Sequence, residues 1–220
     1  MGTVLLLIII LNSSNEFALR KDMPFAIEAA KEHVDRSVRE IERRARLKEM
    51  DTGSINRSDL EYGTPIPELF ANSDDVLECN SADDIFQSGA IVFYNVPVIW
   101  NGEIWHFVMV KVNRLLLGTG YGYYGMITDR GGTGLEGLVR LQHKYAQLDS
   151  SIVLEVNIHE IPTEVWIKMG THYRVILANS YDSEKDDWAN AVNVDELLPE
   201  WKRYIRQERN RNRRNLRRTH

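Results

Sequence analysis

The stretch Ala90–Val112, AIVFYNVPVIWNGEIWHFVMVKV, joins two runs of β-branched and aromatic residues through Asn101-Gly102. Both residues of that pair tolerate positive φ, so a type I′ turn and a β-hairpin are predicted. With a two-residue turn, Trp100 faces Glu103, Val98 faces Trp105, Val96 faces Phe107 and Tyr94 faces Met109. The opposite face carries Ile91, Phe93, Asn95, Ile99, Ile104, His106, Val108 and Val110. Two apolar faces place the hairpin inside a sheet rather than at its rim.

Downstream, Ser151–Ile158, Glu164–Lys168 and His172–Ala178 read as three further strands, separated by Pro162 and by Met169-Gly170. A helix is expected from Leu135 to about Leu148 on the stripe Leu138, Leu141, Tyr145 and Leu148, with Thr133 and Glu136 in capping-box relation. Upstream, Asp22 and Pro24 look like a helix start. Ile27, Ala30, Val34, Val38, Ile41 and Ala45 then form one narrow apolar stripe. Glu32 with Arg36, Asp35 with Arg39, Glu40 with Arg44 and Glu42 with Arg46 each put the acid four residues before the base, the favourable order. Such a helix either packs on the β domain or self-associates through residues 24–48.

The fold class expected is α+β, with a mainly antiparallel sheet built on the central hairpin, a long N-terminal helix and a basic C-terminal helical tail. The chain divides into an apolar N-terminal strand or short signal or anchor (1–21), a charged amphipathic helix (22–50), a connecting segment (51–88), an α+β core (89–192) and a C-terminal helix with its tail (193–220). The run Val4–Leu11 is about half the length a membrane-spanning helix needs, so no integral span is expected. The single cysteine, Cys79, excludes an intramolecular disulfide framework and a cysteine-based zinc cluster. It fits a cytoplasmic protein or a component of a larger assembly, with secretion left open by the apolar start.

Charge is distributed unevenly. Residues 201–220 hold Lys202 and eight arginines against Glu208 alone, a balance of +8, which leaves −13 for the other 200 residues given −5 overall. The tail from Arg206 to His220 interleaves arginine with asparagine and glutamine, and in composition it is similar to the arginine-rich segments of viral RNA-binding peptides. Guanidinium groups bind phosphate bidentately and amide side chains can reach base edges. Arg206, Arg209, Arg211, Arg213, Arg214, Arg217 and Arg218 are therefore the candidate nucleic-acid-binding residues. An acidic protein surface would be met by the same charges, including the chain's own Asp182, Glu184, Asp186 and Asp187.

Two other sites can be drawn from the sequence. Gly131-Gly132-Thr133-Gly134 precedes a helix, and free amides there would make a weak anion site. The GxGxxG of Gly120, Gly122 and Gly125 has no helix opening within it, so strand bulges or tight turns are the expected reading. Secondly, the Gly-Ala-Ile-Val-Phe strand followed by an aromatic-His strand resembles the core of papain-like cell-wall peptidases, which implies a hydrolase with Cys79 as nucleophile and His106 as base. Asp74, Asp75, Glu78, Asp83 and Asp84 surround Cys79 in sequence and would raise its thiol pKa. The remaining histidines show no metal-ligand spacing, and no cofactor is expected. The leading expectation is a non-enzymatic binding or assembly protein whose arginine-rich tail contacts nucleic acid or an acidic partner.

Overall fold

The computed structural model describes residues 15–48, 57–115, 118–127, 135–146, 151–176 and 191–216. The protein is mixed α+β with mostly antiparallel strands, as the hairpin predicts. It forms two compact units, Met1–Pro67 with Val92–Val139 and Glu68–Ile91 with Arg140–His220.

Strand β2 is Ile66–Ala71; the first unit holds helix α1 (Asn15–Lys48), strands β1 (Leu60–Tyr62), β4 (Glu103–Leu115) and β5 (Gly118–Ile127), and β3 (Ala90–Trp100) from Val92 onward. The turn forms as its residues demand, with φ of 53° at Asn101 and 81° at Gly102. Trp100 pairs with Glu103 and Ile99 with Ile104. The pairing expected beyond that point is corrected by a bulge, in which Trp105 is an extra residue and Val98 pairs with His106. Every later pair moves by one, so Phe107 lies opposite Pro97 rather than Val96, and Met109 opposite Asn95 rather than Tyr94. The physical reason lies in Pro97. Proline has no amide to give to a ladder and is tolerated in strands chiefly at edges and bulges. Its carbonyl is used instead by Gly63, whose N–H donates to it at 2.9 Å.

Both faces of the hairpin are buried despite the shift, because apolar residues stand on both. Tyr94, Val96, Val98, Phe107, Val108 and Val110 are all nearly inaccessible. The glycines of the GxGxxG lie inside β5, where a second bulge sets Met109 opposite Gly125 and Val110 opposite Tyr123. The strand-bulge reading therefore holds for this motif.

Helix α1 corrects another expectation. It runs through Asp22 and Pro24 from Asn15, so residues 15–21 are helical and Pro24 lies inside the helix. Proline there removes one backbone hydrogen bond. Burial of Leu19, Ala26, Ala30 and Val34 along one side offsets that loss, and α1 packs on β4 and β5. Arg36 pairs with Glu32 as its spacing predicts, and Lys31 with Glu28 at 2.7 Å. Lys31 also stands 5.9 Å over the Tyr62 ring. Burial, with Asp35 and Glu28 nearby, pushes the Tyr62 hydroxyl up to about 12. The side chains of Val38, Ile41 and Ala45, on which self-association would turn, lie outside the described residues.

The second unit takes in most of the stretch expected to be a connection. Residues 51–88 contain β1 and β2 (Ile66–Ala71), α2 (Ser73–Glu78) and α3 (Ala82–Ser88). The short helices are fixed by their caps. The Asn72 side chain accepts from Asp74 N–H, and Ser81 with Asp84 forms a reciprocal capping box. Strand β6 (Ser151–Ile158) pairs parallel with β2 and antiparallel with β7 (Glu164–Met169), which pairs in turn with β8 (His172–Ile176). A short β9 (Val192–Asn193) completes this series beside β8. Helix α4 (Leu135–Ala146), whose residues to Val139 belong to the first unit, buries Leu138, Leu141 and Tyr145 of the stripe read from its sequence. Leu148, and Thr133 of the expected capping box, lie outside the described residues. Helix α5 (Val194–Leu216) closes the chain as described.

Lys168 on β7 shows how this core admits a charge. It is 3% exposed, with Nζ 5.4 Å from the Phe86 ring centroid and 5.5 Å from that of Tyr173. The ammonium donates to the Gly170 carbonyl at 2.6 Å, and the Tyr173 hydroxyl donates to Asp83 Oδ1 at 2.6 Å. Two aromatic faces and a carbonyl replace the water that burial removes.

Glu164 on the same strand is treated differently. Burial pushes its carboxyl up to about 7 from an ordinary 4.5. The folded state therefore holds this proton more tightly than the unfolded state, so stability declines as pH rises from about 4.5 to 7 and is level above that. Discounted for partial exposure, the loss should be on the order of 1 kcal/mol. Urea denaturation of Glu164→Gln across that range should show the slope removed, and an unchanged slope would assign it to other groups.

Candidate nucleic-acid interface

Helix α5 decides where the arginines point. Val194, Leu198, Trp201 and Ile205 recur at spacings of four, three and four and are all buried. Trp201 stacks on Trp166 of β7, with centroids 5.8 Å apart and rings 10° from parallel. Asp195 in the first turn accepts from Ala82 N–H at 2.6 Å, and the Lys202 ammonium donates to the Cys79 carbonyl. The helix is therefore fastened to α2, α3 and β7 by its first twelve residues, and it continues beyond them in helical form.

Arg209 stands one more step along the same stripe. Its guanidinium pairs with Asp74, donates to the Ser73 hydroxyl, and reaches Glu160 Oε2 at 3.3 Å. These hydrogen-bonded acceptors, Asp74 first, raise its pKa and hold it charged. Arg209, named with the candidate nucleic-acid-binding arginines, thus makes its contacts within the anchor. Acidic groups of the protein do meet one tail arginine, but they are Asp74 and Glu160. Asp182, Glu184, Asp186 and Asp187, named from the sequence, lie outside the described residues.

The other described arginines of the tail point away. Arg206, Arg211, Arg213 and Arg214 are exposed, together with Gln207, Asn210, Asn212 and Asn215. Arg211 is 3.5 Å from the half-buried Glu208 and Arg203 3.5 Å from the exposed Glu200, both pairs three residues apart. Arg206, Arg213 and Arg214 form no ion pair among the described residues. On a helix of 3.6 residues per turn, Arg203, Arg206, Asn210, Arg211 and Arg214 occupy the half of the circumference opposite Leu198, Trp201 and Ile205, with Arg213 at its border. From Arg203 to Arg214 that face runs about 16 Å at 1.5 Å per residue. Arg217 and Arg218 lie outside the described residues.

Tyr204 is the residue directly before the buried Ile205, yet it is 42% exposed at the margin of the basic face. The signal was present in the spacing, because the buried residues define a phase that Tyr204 does not share and Arg209 does.

The remaining candidates are placed as follows. Cys79, in the second unit, is buried, and its thiol lies 3.8 Å from the Ser88 hydroxyl. Burial is the largest influence on it and raises its pKa, with Asp84 and Asp75 acting in the same sense. His106 belongs to the first unit, half-buried on β4, and burial lowers its pKa. Gly131, Gly132, Thr133 and Gly134 lie outside the described residues. A cavity of about 250 Å³ is lined by His172, Tyr173, Arg174 and Asn193. Its Tyr173 hydroxyl is engaged by Asp83, and Arg174 donates to the Ala191 carbonyl at 3.3 Å. Among the described residues no three His, Cys, Asp or Glu side chains gather as a metal site, and no helix is long and apolar enough to cross a membrane.

The fold and this helix define an α+β protein that presents a basic helical face. No family model, no curated protein and no solved structure matches the chain.

Proposed function

We propose that this is a non-enzymatic binding or assembly protein whose C-terminal helix engages nucleic acid or an acidic partner through its outward arginines. The observation that carries the reading is the two-sidedness of α5. One side anchors it through Leu198, Trp201, Ile205 and Arg209, and the other leaves Arg206, Arg213 and Arg214 in solvent without an ion pair among the described residues. Three charges held apart on a docked helix lose less freedom on meeting a row of phosphates than the same charges on a loose tail. The rest of the chain, at −13, repels a polyanion, so affinity concentrates on this face.

Salt dependence tests the reading. About four to six phosphate contacts, counting residues beyond Leu216, should give a slope of about −3 to −5 in log K against log salt, at roughly 0.7 to 0.9 per contact. Replacing Arg206, Arg213 and Arg214 together by Gln should reduce the slope by about 2 to 3 with the fold intact. Arg209→Ala should lower thermal stability and leave the slope nearly unchanged. Absence of binding to any polyanion at low salt would remove the proposal.

A further inference from the structure

Phosphate binding uses charge alone, so it leaves one feature of α5 without a role. Tyr204 presents a large ring to water, 42% exposed, at the edge of the arginine face. The inward side of the helix already has Trp201 and Ile205, so the ring is not needed to dock it. Helical spacing sets Gln207 one turn ahead of Tyr204, Arg211 two turns ahead, and Arg203 directly before it.

The acids beside the ring sort what can cover it. Glu200 and Glu208 stand four residues to either side of Tyr204, on the same row. Each is 3.5 Å from an arginine, Arg203 and Arg211 respectively; both guanidinium groups are exposed, and the Glu200 pair in particular is of the weak surface kind that a phosphate can displace. Two carboxylates flanking the ring disfavour a phosphate directly over it, whereas an uncharged aromatic base meets no such repulsion. A polyanion whose flat, neutral groups can leave its charged backbone fits this arrangement. In a duplex the bases are stacked inside, but in a single strand they are free to stack on a side chain. Gln207 and Asn210, exposed on this face, each carry an amide that donates and accepts, matching a 2′-hydroxyl that does both.

We infer that the face of α5 formed by Arg203, Tyr204, Gln207, Arg211 and Arg214 binds single-stranded RNA, with one base stacked on the Tyr204 ring and the phosphates held by the guanidinium groups. The inference rests on the binding reading above and names its partner. Tyrosine serves this role because its ring offers a π-face that any base can cover, at the loss of only two side-chain torsions.

The test titrates the full-length protein into three labelled oligonucleotides: a mixed-sequence single-stranded RNA, the duplex RNA of the same sequence, and the corresponding single-stranded DNA. The native chain should favour the single-stranded RNA over both others. Tyr204→Ala should weaken single-stranded RNA binding on the order of tenfold, with duplex binding and the salt slope unchanged. Tyr204→Phe, which keeps the ring, should bind as the native chain does. Because Tyr204 is exposed, circular dichroism should show α5 retained in both variants. Equal affinity of Tyr204→Ala for single-stranded RNA, or an equal loss on duplex, would overturn the stacking role while leaving an arginine-dependent salt slope, and with it the binding reading, in place. Equal affinity for the DNA strand would overturn the commitment to RNA. No binding to any of the three at low salt would overturn the inference and remove nucleic acid from the binding reading, leaving an acidic protein as its partner.

Discussion

Trp201→Ala is expected to lower the unfolding free energy by about 3 to 5 kcal/mol, the usual range for deleting a buried aromatic side chain. Trp201 is 7% exposed and stacks on Trp166, itself fully buried. Deletion removes transfer free energy, leaves a cavity against Trp166, and loses the stacking contribution of about 0.5 to 1.5 kcal/mol. Chemical denaturation followed by near-ultraviolet circular dichroism is the direct measurement, since Trp166 loses its parallel neighbour. An effect below about 1 kcal/mol would mean that Trp201 contributes little to holding α5. A full effect would explain why an arginine-rich segment is helical at all. The eleven residues from Arg206 to Leu216 would otherwise form a helix of marginal stability.

Phe107→Ala should be as severe, about 3 to 5 kcal/mol, in the other unit. Phe107 is 2% exposed on β4, and the bulge at Trp105 sets it opposite Pro97. A proline ring is small and fixed, so it has little means of collapsing into the space an absent phenyl ring leaves. Thermal unfolding should show a transition shifted by many degrees, and an unchanged midpoint would remove Phe107 from the core.

Asn101-Gly102 made the hairpin legible, because a two-residue turn with positive φ at both positions is local chemistry. The register away from the turn was not legible. It depends on how the ladder accommodates Pro97, and a residue with no amide shifts pairing in a way that alternation of apolar residues cannot reveal when both faces are apolar. The strands from Ser151 to Ile176 were read with nearly correct bounds, since Pro162 and Gly170 punctuate them. Residues 57–88 were misread as a connection for the opposite reason. Their elements are three to seven residues long, too short for periodicity, and only the caps at Asn72 and Ser81 mark them. In α5 the arginines were visible as composition. That Arg209 turns inward while Tyr204 turns outward follows from the phase of Leu198, Trp201 and Ile205, a three-dimensional property which composition averages away.

Arg209 has a consequence for how the molecule would approach a charged surface. Two carboxylates, Asp74 and Glu160, answer its single positive charge, so the cluster around Arg209 is left negative while the outward side is positive. The helix therefore carries a transverse electrical polarity, at right angles to its axis. On the proposed reading, a polyanion would be attracted from one direction and repelled from the other, and the approaching molecule would be turned before any contact is made. Weakening by added salt would act on that steering over a distance of roughly 10 Å at 0.1 M ionic strength. Arrival would slow more steeply than departure quickens.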